Sequence, residues 1–225
     1  MFDNSSAATA RRWALSAALI LLCLTAGCTS DPDSGQSGVS AEQVCDGSLD
    51  KEAAAALRRL SGSDRFKELT GTNDAGEPNK FSLSRAAQHL HDATAERSRC
   101  TVYKATDKSG IPLIQIDFKA ADSYPRRQDT QGQEPHKVYY DLGVYASTAG
   151  EYSTTLYFRC RTTSRGKSAD YVDAGISSVS GKLKGNSKSA DRMTVLNAVS
   201  RRLAAELNCS ASAGLPARIP APDTR

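Results

Sequence analysis

The sequence predicts an α+β domain: an antiparallel sheet of about four to five strands, with helices packed on one of its faces and two disulfides. Three observations carry this. Apolar residues recur at three- and four-residue spacing in 50–90 and again in 189–207. Between those stretches they alternate with polar residues, and four cysteines are spread along the same span. Helices, then strands, then a helix describe the layout in which helices segregate to one face of an antiparallel sheet. A chain of 225 residues suffices for one ordinary domain plus tails.

The elements follow in order. Ser48 or Asp50 caps a helix through Leu60, with Ala53, Ala56, Leu57 and Leu60 on one face and Gly62 as its stop. Residues 64–69 predict a second short helix with Phe66 and Leu69 inward. Residues 72–79 (TNDAGEPN) form a loop by composition. Ser82 or Ser84 caps a further helix, where Leu83, Ala86, Ala87 and Leu90 repeat at helical spacing.

The period then changes to two. Residues 101–106 predict a strand and 107–110 (DKSG) a turn. In 113–119, Ile114, Ile116 and Phe118 alternate with Gln115, Asp117 and Lys119, the signature of a half-buried antiparallel strand. Residues 137–146 predict one continuous strand, with Val138, Tyr140, Leu142 and Val144 on one face. Ala149 and Gly150 turn the chain into a strand over 152–161, with Leu156, Phe158 and Cys160 inward. Residues 171–179 predict an added edge strand. The last helix starts at Ser189 or Asp191 and carries Leu196, Val199, Leu203 and Leu207 as an apolar stripe ending at Cys209.

The N-terminal region has a different character. Arg11 and Arg12 precede an uncharged apolar run over 13–24 (WALSAALILLCL). A membrane-spanning helix needs about 20 apolar residues, so this run has the length of a signal-peptide core instead. The stretch Leu24-Thr25-Ala26-Gly27-Cys28 resembles the processing site of bacterial lipoproteins, although Thr25 stands where an aliphatic residue is usual. That resemblance implies cleavage before Cys28, diacylglycerol on its thiol, and a place on the outer face of the cell membrane. The Arg11-Arg12 pair partly resembles a twin-arginine signal but lacks the full pattern, so ordinary secretion is the expectation.

The expected organisation is a signal peptide over 1–27, a lipidated flexible tether over 28–43, a globular domain over 44–209 and a disordered tail over 210–225. The tether is rich in Ser, Gly and Asp, and the tail in Pro and Ala. Of six cysteines, Cys23 leaves with the signal and Cys28 takes lipid. Cys45, Cys100, Cys160 and Cys209 remain, which in an oxidising compartment reads as two disulfides. Three connectivities exist. Cys45–Cys100 with Cys160–Cys209 is preferred, because each pair brackets a helical segment and a strand that must pack together. A zinc site needs short CxxC-type spacings, and the sequence has none.

Cys45-Asp46-Gly47 before a helix, Arg99-Cys100 entering a strand and a cysteine closing the last helix give a layout similar to that of uncharacterised actinobacterial lipoproteins. This resemblance implies a cell-surface domain and no particular activity.

Motifs for chemistry are sparse. His89 and His91 lie two apart on a predicted helix, where a two-histidine metal motif wants a spacing of four. His136 sits in a polar loop. Ser48-Leu49-Asp50-Lys51 fits the S-x-x-K pattern of penicillin-recognising enzymes, but the chain is too short for that fold and Ser48 reads as a helix cap. No GxSxG elbow, Walker loop, GxGxxG fingerprint or calcium loop occurs. The expectation is a protein that is not an enzyme, with no metal and no cofactor.

Charge is uneven. Residues 28–158 hold 15 basic and 19 acidic side chains, whereas 159–202 hold 10 basic and 3 acidic. Arg159, Arg161, Lys182, Lys184, Arg201 and Arg202 are the candidate patch for an anionic partner, a wall polymer or lipid headgroups. Nucleic acid is not expected for an exported chain. Arg126 and Arg127 anchor a long polar loop over 124–136, a candidate contact region. Tyr139, Tyr145 and Tyr157 are candidates for an exposed tyrosine row on one sheet face, but the favoured reading is that helices cover these rings. The one tryptophan, Trp13, belongs to the signal, which argues against a sugar-binding surface, since those usually rely on stacked aromatic rings. The functional expectation is a lipid-anchored surface protein that binds an envelope component, whether protein or anionic polymer. A small-ligand domain with a pocket between helices and sheet is one alternative, and a secreted enzyme without a recognisable motif is the other.

Overall fold

The computed structural model describes residues 38–94, 99–127, 137–184 and 188–223. The expected signal peptide, Cys28, most of the tether and His136 lie outside the described residues.

Seven strands form one antiparallel sheet: β1 (Phe66–Glu68), β2 (Cys100–Lys104), β3 (Ile114–Ala121), β4 (Lys137–Tyr139), β5 (Tyr145–Ala149), β6 (Ser153–Ser164) and β7 (Lys167–Ser177). Their spatial order is β1-β2-β3-β7-β6-β5-β4. The α+β class and the antiparallel sheet are as expected, but the sheet has seven strands rather than four to five. Two differences account for the count, and a third concerns position. The stretch expected as a short helix at 64–69 is β1, paired with β2 through Phe66↔Lys104. Phe66 and Leu69 fit a helical spacing, yet Leu69 is 39% exposed and pairing with β2 decides the conformation. The strand expected over 137–146 breaks into β4 and β5 around residues 141–144. The expected edge strand is β7, which lies centrally between β3 and β6.

Gly143 is why that break occurs. Its φ is +61°, and a Cβ there would lie 2.3 Å from the Tyr157 carbonyl oxygen, which already accepts from the Val144 N–H at 2.8 Å. The strain of a left-handed non-glycine residue alone costs about 1–3 kcal/mol. Gly143→Ala is expected to lose at least that much in a urea titration. An unchanged midpoint would show that the turn has room to relax.

Helices cover one face. α1 (Val44–Gly47) is a tight turn in which Cys45 and Asp46 are left-handed, followed by α2 (Lys51–Ser61), α3 (Leu83–Gln88), α4 (Ser189–Glu206) and α5 (Ser210–Ala213). Asp50 caps α2 by accepting from the Ala53 N–H at 3.0 Å, and Gly62 ends it at φ +64°. α4 packs on β5, β6 and β7 and against α2 and α3. Met193, Leu196, Val199 and Leu203 of α4 share one core with Ile116, Phe118, Leu156, Phe158, Val172 and Ile176 of the sheet. These strand residues alternate strictly with exposed or half-buried neighbours, so β3, β6 and β7 bury one face only.

Both disulfides have the preferred pairing. Cys45–Cys100 ties α1 to β2, and Cys160–Cys209 ties β6 to the end of α4. Cys160 sits at a bulge: three residue steps of β6, from Arg159 to Thr162, face two of β7, from Tyr171 to Ala169.

Packing extends beyond the expected domain at both ends. Val39 pairs with Phe66 and Ala41 is fully buried. The tail expected to be disordered is docked as far as Asp223. Gly214 accepts from the Gly143 N–H at 3.0 Å, Asn197 donates to the Pro216 carbonyl at 2.9 Å, and the Asp223 N–H donates to Tyr139 at 2.8 Å. Leu215 and Ile219 pack against the core. A proline-rich composition describes the free segment, and it carries no information about these partners.

Glu68 touches the Cys45–Cys100 bridge, accepting from the Cys45 N–H at 3.1 Å. Burial pushes its carboxyl above the ordinary value of 4.5, against the Cys45 N–H and the charge of Lys80, which pull it down. The folded state then holds this proton more tightly than the unfolded state does. Its contribution is therefore complete at low pH and is lost as pH rises from about 4.5 through the raised folded value. Relative to Glu68→Gln, the wild type should lose thermal stability as pH climbs through that window. A wild type that instead gains on the variant would mean the carboxylate is net stabilised.

Candidate functional site

The sheet face turned away from the helices carries a cleft of about 500 Å³. Strand register builds it. One row across the sheet is Asp117, Gly175, Thr155, Ser147 and Tyr139, on β3, β7, β6, β5 and β4 in turn. On one side of it runs a row of large residues, Lys119, Asp173, Tyr157 and Tyr145. On the other runs a row of small ones, Ser177, Ser153 and Ala149, ending at Lys137. Small side chains make the floor and large ones a wall. Gly175 matters most: a Cβ there would meet only the Thr154 carbonyl within 4 Å, at 3.8 Å, so the space above it is open.

The wall is tied together. Tyr157 donates to Asp173 at 2.9 Å, and Lys119 lies 3.2 Å from the same carboxylate oxygen. Burial, reinforced by the charge of Asp173, pushes the Tyr157 phenol well above its usual range. It therefore stays a donor at any physiological pH. Tyr145 stands edge-on between Tyr139 and Tyr157, with centroids 6.1 and 6.0 Å away. Its hydroxyl accepts from the buried Ser147 at 3.2 Å. Asp117, at the cleft's end, takes a hydrogen bond from Arg99 at 2.5 Å. The candidate tyrosine row thus lies on the face away from the helices and is not covered by them, contrary to the favoured reading of the sequence.

A second hollow of about 660 Å³ lies beyond Tyr145 and Pro125 and includes Arg126 and Arg127. Arg127 is engaged: it pairs with Asp223 at 2.5 Å and stacks 4.7 Å over the Tyr139 ring. Arg126 is exposed.

The candidate anionic-partner residues are not brought together. Lys182 binds Asp107 and Ser109, each at 2.7 Å, beside the β2–β3 loop, and this holds the Asp107 carboxyl far below its usual range. The Lys184 N–H donates to Leu60 at the end of α2. Arg201 lies 3.5 Å from Asp50, about 20 Å along α4 from its start at 1.5 Å per residue. Arg159 and Arg161 lie on β6, where Arg161 approaches Asp170 at 3.7 Å.

His89 contacts Asp92 at 2.8 Å and His91 contacts Thr162 at 3.0 Å, so the two rings point to different partners. Among the described residues, the cluster with metal-ligand character is Cys45, Glu68 and Cys100, and its two sulfurs are joined in the disulfide. The sequence reading missed the cleft floor. Its signal was the alternate small residues Ser147 and Ala149, Ser153 and Thr155, and Gly175 and Ser177, in three strands that register brings side by side. No protein-family model, curated protein or solved structure matches the chain.

Proposed function

We propose that this is a lipid-anchored, non-enzymatic protein of the cell surface that binds an envelope component in the cleft on its open sheet face. The observation that carries the reading is the cleft itself. A concavity of this volume, with a few convergent polar groups, is the usual form of a ligand site. It differs from the pocket between helices and sheet that the sequence suggested, because that space is filled by core side chains. The two disulfides are compatible with an extracytoplasmic location. The lipobox-like stretch ending at Cys28 supports the anchor. The cleft carboxylates Asp117 and Asp173 are each tied to a cation, which fixes their positions. Dispersal of the basic side chains weighs against a polyanion as the partner.

Two measurements test this. Intact mass and membrane partitioning of the natively expressed protein should show lipid that a Cys28→Ala variant lacks. The mature chain from residue 29, secreted through an ordinary cleavable signal, should still sediment with isolated envelopes, and Gly175→Leu, which fills the cleft, should abolish that. Equal sedimentation with the cleft filled overturns the binding site. A wild type without lipid overturns the anchor.

A further inference from the structure

We infer that the cleft takes a neutral carbohydrate, a short stretch of uncharged glycan. This rests on the cleft being the binding site, and it adds the chemistry of what is bound.

The argument is one of matching. The cleft lining holds two carboxylates, Asp117 and Asp173, and two ammonium groups, Lys119 and Lys137, with Arg99 on Asp117, so charges of both signs are interleaved there. An anionic ligand would face both carboxylates and a cationic one both lysines. An apolar ligand would strip water from the floor hydroxyls without replacing their hydrogen bonds, a cost of about 1–3 kcal/mol each. A sugar does replace them. Each of its hydroxyls donates and accepts, as do those of Ser153, Thr155 and Ser177. Carboxylates accept from it and ammonium groups donate to it, and such charge-assisted bonds are about twice as strong as neutral ones. The C–H face of a pyranose is apolar and packs on aromatic surface, whose negative side is the ring face. Tyr157 and Tyr145 line the cleft, and the Tyr157 hydroxyl is fixed on Asp173 at 2.9 Å. Gly175 supplies the close approach, since no side chain stands between the ligand and the sheet backbone there. Finally, the wall is prearranged by Tyr145 and by the Lys119–Asp173 pair, so little ordering is left to do on binding.

The experiment uses the mature chain from residue 29, secreted through an ordinary cleavable signal so that neither lipid nor the apolar run over 13–24 remains. Short neutral oligomers of glucose, mannose, galactose, arabinose and N-acetylglucosamine are screened by saturation-transfer NMR and then offered as competitors of envelope sedimentation. At least one should bind in the micromolar to millimolar range and release the protein from envelopes. Gly175→Leu, and independently Thr155→Leu on the neighbouring strand, should weaken that binding at least tenfold while leaving the unfolding midpoint in place. If envelope sedimentation depends on the cleft but no neutral sugar binds or competes, the carbohydrate inference is wrong and the binding site stands. If a sugar binds equally well to both filled variants, the inference is wrong about the cleft. If sedimentation itself ignores the filled cleft, the proposed function falls first.

Discussion

Replacing Cys160 and Cys209 with alanine is expected to remove about 4 kcal/mol of stability, the loop-closure entropy of a crosslink spanning roughly 50 residues. That is a large share of the 5–15 kcal/mol that holds a typical domain folded. Position adds to the effect. The bridge leaves β6 at its bulge and fixes the end of α4, from which α5 and the docked tail continue. Urea unfolding of the double variant should show a much lower midpoint. A slope that also changes would reveal that the crosslink compacts the unfolded chain. A midpoint within the error of the wild type would mean that α4 is held by packing alone.

Phe158→Ala comes next, with an expected loss of about 3–5 kcal/mol. Phe158 has no exposed surface, and it lies on β6 among the residues that α4 and the sheet bury together. Truncation leaves a void that a close-packed interior closes only in part. Its neighbour Tyr157 points to the other face. Phe158→Leu should therefore recover part of the loss, while Tyr157→Phe should cost far less than either. A Phe158→Ala loss below about 1 kcal/mol would place the ring outside the core.

The comparison of these two adjacent residues also explains what the sequence discloses. Alternation in β3 and β6 is strong because Ile116, Phe118, Leu156 and Phe158 are large, so strand, face and core were all legible there. β7 was legible as a strand but not as a central one, since its inward residues include Ala169 and Ala174 and its outward ones Gly175. Small residues give a weak period, and position within a sheet follows from pairing that no single segment encodes. The disulfide pairing was legible as a preference, because Cys45 and Cys100, and Cys160 and Cys209, each bracket a helical segment and a strand that pack together. The cleft could not be found, because its floor consists of Ser, Thr, Gly and Ala whose significance lies in lateral register. The basic residues show the converse. Lys184 and Arg201 are close in sequence, but Lys184 meets Leu60 at the end of α2 and Arg201, well along α4, meets Asp50 at the start of α2.

The Cys45–Cys100 bridge has a mechanical consequence. A pull on the chain ahead of Val39 would first open the short pairing with Phe66 and draw out Ala41. Within seven residues of Gly38 it would then meet a covalent link to β2. Beyond that point the load passes into a strand paired on both sides, by β1 and β3. The sheet would then have to yield by shearing whole ladders rather than by unzipping from its first strand. A domain fastened in this way should resist drag on its N-terminal side far better under oxidising than under reducing conditions, a difference that single-molecule force spectroscopy would read directly.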